Sequence, residues 1–170
     1  MAEPALAAVQ TATGEFDCYR AQWGGADEHV AAVFAAEEPA ERLFDLAWEF
    51  EGTAEPPLAD AVDYLRDAAV YLLTPTDWVV YLPVWAGLPP NFEPAPDAGL
   101  LVRVHSVADS RSLRGTVRRQ KGLLTDRLAA ERGTVAEAIA ELWGRLAARE
   151  LYGSTALAEI SGADHPGQQR

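Results

Sequence analysis

The chain has 170 residues, of which 26 are Asp or Glu and 14 are Lys or Arg, so its formal net charge is −12. Apolar residues make up 49% of it, enough for a folded core, and the single cysteine, Cys18, excludes an intramolecular disulfide and a cysteine-based zinc site. The start of the chain carries no export signal and the longest apolar run, near residues 78–88, is too short to span a membrane, so we expect a cytoplasmic protein without a membrane partner.

The N-terminal segment is predicted to form a β-hairpin. Small and β-tolerant residues alternate over residues 5–22 around a turn at residues 14–15. In the second strand, the period of two places Phe16, Cys18 and Arg20 on one face.

Two helices are predicted next. The first begins near Pro39 and ends at Gly52, because its apolar residues fall on one face. The second begins at Pro56 and follows a period of 3.6 as far as Ala69, with aspartates on its solvated side.

The strongest strand signal is the pair VYLLT and WVVYLPVW, joined by a TPTD turn. Both faces of the second segment are apolar, so we expect it near the centre of a sheet. A proline-rich crossover follows at residues 89–96, and residues 100–105 are predicted to form another strand.

Two helices are predicted to complete the fold. The apolar face of the first consists of Leu113, Val117, Leu124 and Leu128. The second begins with a capping box made by Thr134 and Glu137, and Gly153 is predicted to end it.

These elements predict a single α+β domain over residues 1–160, followed by a frayed tail at residues 161–170. The expected architecture is an antiparallel sheet of about five strands with helices packed largely on one face. The predicted order of elements is ββααβββαα.

The aromatic and apolar pattern also resembles a known family. The segments DAVDYLRDAAVYLLTPTDWVVYLPVWAGL and GLLVRVHS, followed by a long charged helix, and the earlier FDCYRAQWGG are similar to an uncharacterised haloarchaeal protein family, a domain of unknown function. The resemblance covers about residues 5–150. It implies a small α+β domain and a halophilic host, and it brings no catalytic motif and no function.

The charge composition independently indicates a halophilic protein. Lys121 is the only lysine, whereas a hyperthermophilic protein would be enriched in Lys together with Glu. Excess carboxylates repel one another in dilute buffer, and molar salt screens most of that repulsion. The charge is uneven, since residues 1–97 carry −15 and residues 98–170 carry +3.

No catalytic, cofactor-binding or metal-binding residue is predicted. The three histidines are far apart and lack metal-ligand spacing, and Cys18 has no local base or positive neighbour to activate it. The serines before residue 113 are better helix caps than nucleophiles, and the glycines form no phosphate-binding loop. An enzyme is therefore not favoured, although the sequence does not decide the question.

Three aromatic residues, Trp78, Tyr81 and Trp85, lie on one predicted strand. If they are exposed they form a patch for a protein partner. The alternative is that they fill the core between sheet and helices, and this is the favoured interpretation.

A basic stripe departs from the acidic trend of the chain. It comprises Arg111, Arg114, Arg118, Arg119 and Lys121 in the helix expected near residues 110–130. Four of these bases recur at i, i+3, i+7 and i+10, beside the apolar face. They contact either a phosphate or acidic partner, or the acidic N-terminal half of the same fold. Internal neutralisation is slightly favoured.

We therefore expect a halophilic, non-catalytic interaction or regulatory module that needs no cofactor. The alternative is a nucleic-acid-associated protein that uses the basic helix. Electrostatic binding of nucleic acid weakens steeply with salt, and no sequence-reading motif is present. The sequence does not indicate the oligomeric state.

Overall fold

The computed structural model describes residues 1–88 and 96–161, and these form a mixed α+β fold. The strands are β1 (Ala5–Gln10), β2 (Phe16–Ala21), β3 (Glu49–Ala54), β4 (Ala69–Leu73), β5 (Trp78–Trp85), β6 (Gly99–Val104) and β7 (Leu151–Gly153). The helices are α1 (Asp27–Ala35), α2 (Pro39–Leu43), α3 (Val107–Ala129), α4 (Val135–Leu146) and α5 (Thr155–Ser161). The predicted crossover at residues 89–96 and tail at 161–170 fall almost entirely outside the described residues.

All seven strands belong to one sheet in the order β3-β2-β1-β4-β5-β6-β7. The sheet is mostly antiparallel, and β1 and β4 form its parallel pair. The prediction of about five antiparallel strands is therefore corrected to seven strands in a mixed sheet. The two predicted hairpins, β1–β2 and β4–β5, and the strand β6 are confirmed.

The predicted helix from Pro39 to Gly52 is wrong beyond its first turns. Helix α2 ends at Leu43, and the chain then enters β3, which pairs with β2. Gly52 has a φ of 129°, which a helix does not allow. Pairing with an adjacent strand, which the local pattern does not reveal, decides the conformation here.

The predicted helix from Pro56 to Ala69 is also wrong. Only Leu58–Ala61 is helical, as a single 3-10 turn. Beyond it the Asp67 carboxylate accepts a hydrogen bond from the backbone N–H of Asp63 at 3.1 Å, which stabilises a turn instead of a continuing helix. Helix α1 precedes α2 and was not predicted.

The two long helices near the C-terminus are confirmed, including the capping box at Thr134 and Glu137. The predicted end of the second helix is wrong. Helix α4 ends at Leu146, and Gly153 lies in β7, where the Trp143 ring packs against it. The order of elements is therefore ββααββββααβα rather than ββααβββαα.

The two faces of the sheet are covered differently. All five α-helices contribute buried side chains to an apolar core on one face, with Tyr71, Leu82 and Val102 from the strands. The opposite face carries a smaller core under the 3-10 turn and Tyr64. The prediction that the helices pack largely on one face agrees with this arrangement.

Candidate functional site

Helix α3 carries the predicted basic stripe beside its buried apolar face. Leu113, Val117 and Leu124 are buried, and Leu128 is half-buried against the same core. Neither Gly115 nor Gly122 interrupts the helix. The helical spacing therefore predicted the apolar face correctly, and the bases lie beside it, with Arg114 and Lys121 half-buried and the other three exposed.

The N-terminal end of the stripe is joined to the acidic half of the chain. Arg111 donates from Nε to the Asp27 carboxylate at 2.7 Å. Arg114 donates to the backbone carbonyl of Ala68 at 3.1 Å, and its second terminal nitrogen lies 3.8 Å from Asp27. Asp27 begins α1, a helix that the sequence did not predict. Internal neutralisation is thus present at Arg111 and, more weakly, at Arg114.

Lys121, the only lysine of the chain, is half-buried between α3 and the end of β5. Its ammonium donates a hydrogen bond to the backbone carbonyl of Trp85 and lies 5.7 Å from the centre of the Trp85 ring. Burial lowers the pKa of Lys121 to about 8. Its charged form is therefore less stable here than in water.

Arg118 and Arg119 are exposed, and among the described residues neither forms an ion pair. Of these two arginines, only Arg118 lines the open groove between α3 and β5, whose volume is about 360 Å³. We call this the basic groove. It is lined by Ala68, Leu82, Pro83, Val84, Trp85, Arg114, Val117, Arg118 and Lys121.

Of the two interpretations of Trp78, Tyr81 and Trp85, the structure agrees with the favoured one, in which they pack against the core, and not with an exposed patch. Tyr81 is only 1% exposed and belongs to the smaller core, where its ring lies 5.9 Å from that of Tyr152. Trp78 packs on the helical face of the sheet against Phe34, whereas Trp85 packs against the smaller core. The three residues do not form one exposed patch, because the pleat of β5 sends them to opposite faces.

Exposed aromatic residues lie instead at the β3 end of the sheet. Trp23, Phe44 and Phe50 are 48%, 39% and 59% exposed. The rings of Phe44 and Phe50 flank Tyr19, at centroid distances of 5.9 and 5.3 Å. We call Trp23, Phe44 and Phe50 the aromatic edge. Phe44 and Phe50 were not predicted to lie at a sheet edge, because both fall in the segment from Pro39 to Gly52 that was predicted as a helix.

A cleft of about 510 Å³ adjoins the aromatic edge, with Trp23, Glu49 and Glu51 in its wall. Arg20 also lines it and is held by two hydrogen bonds of 2.8 Å to the fully buried Asp67 carboxylate and by an ion pair with Glu51. The hydrogen bonding to Asp67 raises the pKa of Arg20. Arg20 therefore stabilises the fold and is not available for proton transfer.

The other candidate reactive groups are buried. The Cys18 thiol donates a hydrogen bond to the carbonyl of Phe16 at 3.6 Å, and burial raises its pKa, so it is less nucleophilic than a free thiol. His29 is buried in α1, and burial lowers its pKa. Neither residue faces either of the two surfaces described above.

Within residues 1–88 and 96–161 no three His, Cys, Asp or Glu side chains are grouped closely enough to hold a metal ion. None of the helices described is long and apolar enough to cross a membrane.

No protein-family model, curated protein or solved structure matches the chain.

Proposed function

We propose that the protein is a non-catalytic interaction module that binds a protein partner along the β3 edge of its sheet. The observation that carries this proposal is the aromatic edge. Phe44 and Phe50 are exposed on either side of the Tyr19 ring, and Trp23 is exposed in the wall of the adjoining cleft. The other aromatic residues of the described part of the chain are buried or half-buried. Aromatic residues are enriched at the centres of protein interfaces.

The backbone of β3 also favours this edge as a binding surface. Strand β3 is the terminal strand of the described sheet, in which it pairs with β2 on one side only. An extended partner segment can add to such an edge through main-chain hydrogen bonds, with its side chains packing on the exposed rings. Phe50 lies within β3, and Phe44 lies beside it across Tyr19.

The charge around the aromatic edge indicates what kind of segment fits. Glu49 and Glu51 are exposed in β3, and Glu55 follows it directly. These like charges disfavour pairing with a second copy of the same edge, which is how natural proteins protect exposed strands. A basic, extended segment with apolar residues is complementary to this surface.

Site-specific photocrosslinking tests the proposal. A photoreactive amino acid at position 50 should capture one partner segment from host extract in molar KCl, and the same group at position 123 should not. Leu123 is the matched control, because it is 60% exposed on the distant helix α3. A synthetic peptide of the captured segment should then bind the wild type about tenfold more tightly than Phe50→Ala, the size expected when an interface anchor is truncated.

Leu123→Ala should leave the affinity for that peptide unchanged. Equal crosslinking at positions 50 and 123, or a peptide affinity insensitive to Phe50→Ala, would reject the proposal. If the captured segment belongs to the protein itself, sedimentation should show a dimer that Phe50→Ala dissociates, and the edge would then be a self-association surface.

A nucleic-acid-associated protein is the less supported alternative. Arg111 and Arg114 are partly engaged by Asp27, and Lys121 is half-buried, so the stripe does not present five free charges to a phosphate backbone. Action in a halophilic, haloarchaeal cytoplasm is part of the proposal. The acidic composition and near-absence of lysine support it.

A further inference from the structure

The basic groove has a composition unlike the rest of this acidic chain. Three cations, Arg114, Arg118 and Lys121, line it on one side, and no Asp or Glu lines it among residues 1–88 and 96–161. We propose that the basic groove binds a small organic phosphate with a flat apolar body, the chemical class of the nucleoside monophosphates. This inference is independent of the aromatic edge.

Carboxylates of the described residues compensate little of the positive charge in the basic groove. In the described part of the chain, neither Arg118 nor Lys121 forms an ion pair with a carboxylate, although carboxylates outnumber basic residues by twelve in the sequence. Arg114 is 3.8 Å from Asp27, which leaves its pairing weak. Three cations beside one distant carboxylate match the charge of a phosphate dianion.

The geometry favours phosphate as the head group. Arg114, Arg118 and Lys121 are spaced at i, i+4 and i+7, so they lie on one side of α3 and converge on the same groove. Arginine presents a planar fork that matches phosphate oxygens, and lysine adds a point charge. Only one of the three N–H groups of Lys121 is used by the Trp85 carbonyl.

The remaining lining accounts for the apolar body. Leu82, Val84 and Val117 supply aliphatic surface, and Trp85 supplies an aromatic ring at the same end as Lys121. The volume of about 360 Å³ lies at the lower end of the range for small-molecule sites. A compact ligand with one ring system and one phosphate therefore fits better than a polymer.

Because the Lys121 ammonium is half-buried, ligand binding in the groove should be coupled to the protonation of Lys121. Within the described part of the chain, the charged groups facing Lys121 are Arg114 and Arg118 on its own helix, and β5 contributes only uncharged residues. A bound phosphate would favour the charged lysine and raise the pKa of Lys121 above its value of about 8. Binding at pH 8.5 should therefore take up protons, and affinity should fall as pH rises from 7 to 9.5.

Calorimetric titration with AMP, inorganic phosphate and adenosine, in 2 M KCl, tests the proposal. AMP should bind more tightly than phosphate or adenosine, because only AMP fills both parts of the groove. At this salt concentration the Debye length is below about 3 Å, so weak surface attraction is suppressed. The heat in buffers of different ionisation enthalpy should report the proton uptake.

Arg118→Gln and Arg119→Gln form a matched pair, because they remove the same charge from adjacent positions and only Arg118 lines the groove. Arg118→Gln and Lys121→Gln should each weaken AMP at least about tenfold, as expected for loss of a charge-assisted contact. Arg119→Gln should change affinity by less than twofold. Circular dichroism checks that each variant is folded.

Three results would overturn the inference: no saturable AMP binding by the folded wild type, equal weakening by the Arg118 and Arg119 variants, or affinity that does not depend on pH. Titration with a single-stranded oligonucleotide tests the remaining possibility, that α3 binds a nucleic acid. If it binds in 2 M KCl more tightly than AMP and loses affinity equally with both arginine variants, α3 is a nucleic-acid surface and the groove is not a phosphate site.

Discussion

Lys121 occupies an unfavourable position at the scale of a single residue. Its ammonium is half-buried and has one backbone acceptor, and the groove around it holds two further cations. Burial lowers its pKa from 10.5 to about 8. Residues that serve binding often reduce the stability of the empty protein.

The lowered pKa predicts how Lys121 affects stability as pH changes. Between pH 8 and 10.5 the unfolded chain holds a proton on Lys121 that the folded chain has lost, so the free energy of unfolding rises with pH. Relative to Lys121→Met, the wild type should become about 2 kcal/mol more stable between pH 7 and 10, since one pKa unit corresponds to about 1.4 kcal/mol. Denaturant unfolding of both proteins at each pH measures the difference.

Arg119→Met is the control, because it removes an exposed cation from the same helix outside the basic groove. Its stability relative to the wild type should not change with pH. If the difference in free energy of unfolding between the wild type and Lys121→Met is the same from pH 7 to 10, the pKa of Lys121 is not lowered by its surroundings.

At the scale of the secondary-structure elements, glycines with opposite surroundings give a direct test of packing. Gly115 and Gly122 lie in α3 with open space where a Cβ would project, whereas a Cβ on Gly153 in β7 would lie 2.0 Å from the Trp143 ring. Gly115→Ala and Gly122→Ala should each raise the free energy of unfolding by about 0.5–1 kcal/mol, because alanine restricts the unfolded chain. Thermal or denaturant unfolding measures these changes.

Gly153→Ala should instead lower stability by about 1–3 kcal/mol, the usual cost of overpacking, since Trp143 is buried in the core. If Gly153→Ala is neutral, β7 does not pack on α4 as described. If both α3 substitutions destabilise, the exposed face of that helix is covered by something else.

The elements show which parts of the fold the sequence could predict. Helix α3 and the capping box of α4 were predicted because their signals are local: a period of 3.6 and a Thr–Glu pair three residues apart. Strand β3 was mistaken for a helix because its conformation depends on pairing with β2, more than 25 residues earlier in the chain. Local pattern cannot report such a partner.

The same distinction applies to the candidate sites. The positions of Arg114, Arg118 and Lys121 on one side of a helix followed from their spacing. Their surroundings did not, because Trp85 and Asp27 come from elements 36 and 84 residues away from their partners Lys121 and Arg111. The aromatic edge was missed because Phe50 lies in the strand that was predicted as a helix.

Across the whole chain, negative charge is in large excess, with a formal net charge of −12. The ion pair between Arg111 and Asp27 joins the basic segment after residue 98 to the acidic N-terminal half. Such exposed pairs contribute little stability, and the sequence leaves twelve more carboxylates than basic residues. We therefore expect most of the acidic surface to depend on the ions of the solvent for compensation.

The fold should accordingly depend on salt. We expect the melting temperature, followed by far-UV circular dichroism, to rise steadily with KCl. The native signal should be lost as KCl falls below the molar range. The reason is that a Debye length of about 3 Å at 1 M salt screens the repulsion between neighbouring carboxylates. Sucrose at matched osmolality is the control, since it favours compact states without screening charge. If sucrose stabilises as strongly as KCl, screening is not the cause. A melting temperature in dilute buffer equal to that in 3 M KCl would remove the halophilic interpretation, and the acidic surface would then need a partner rather than a salt to explain it.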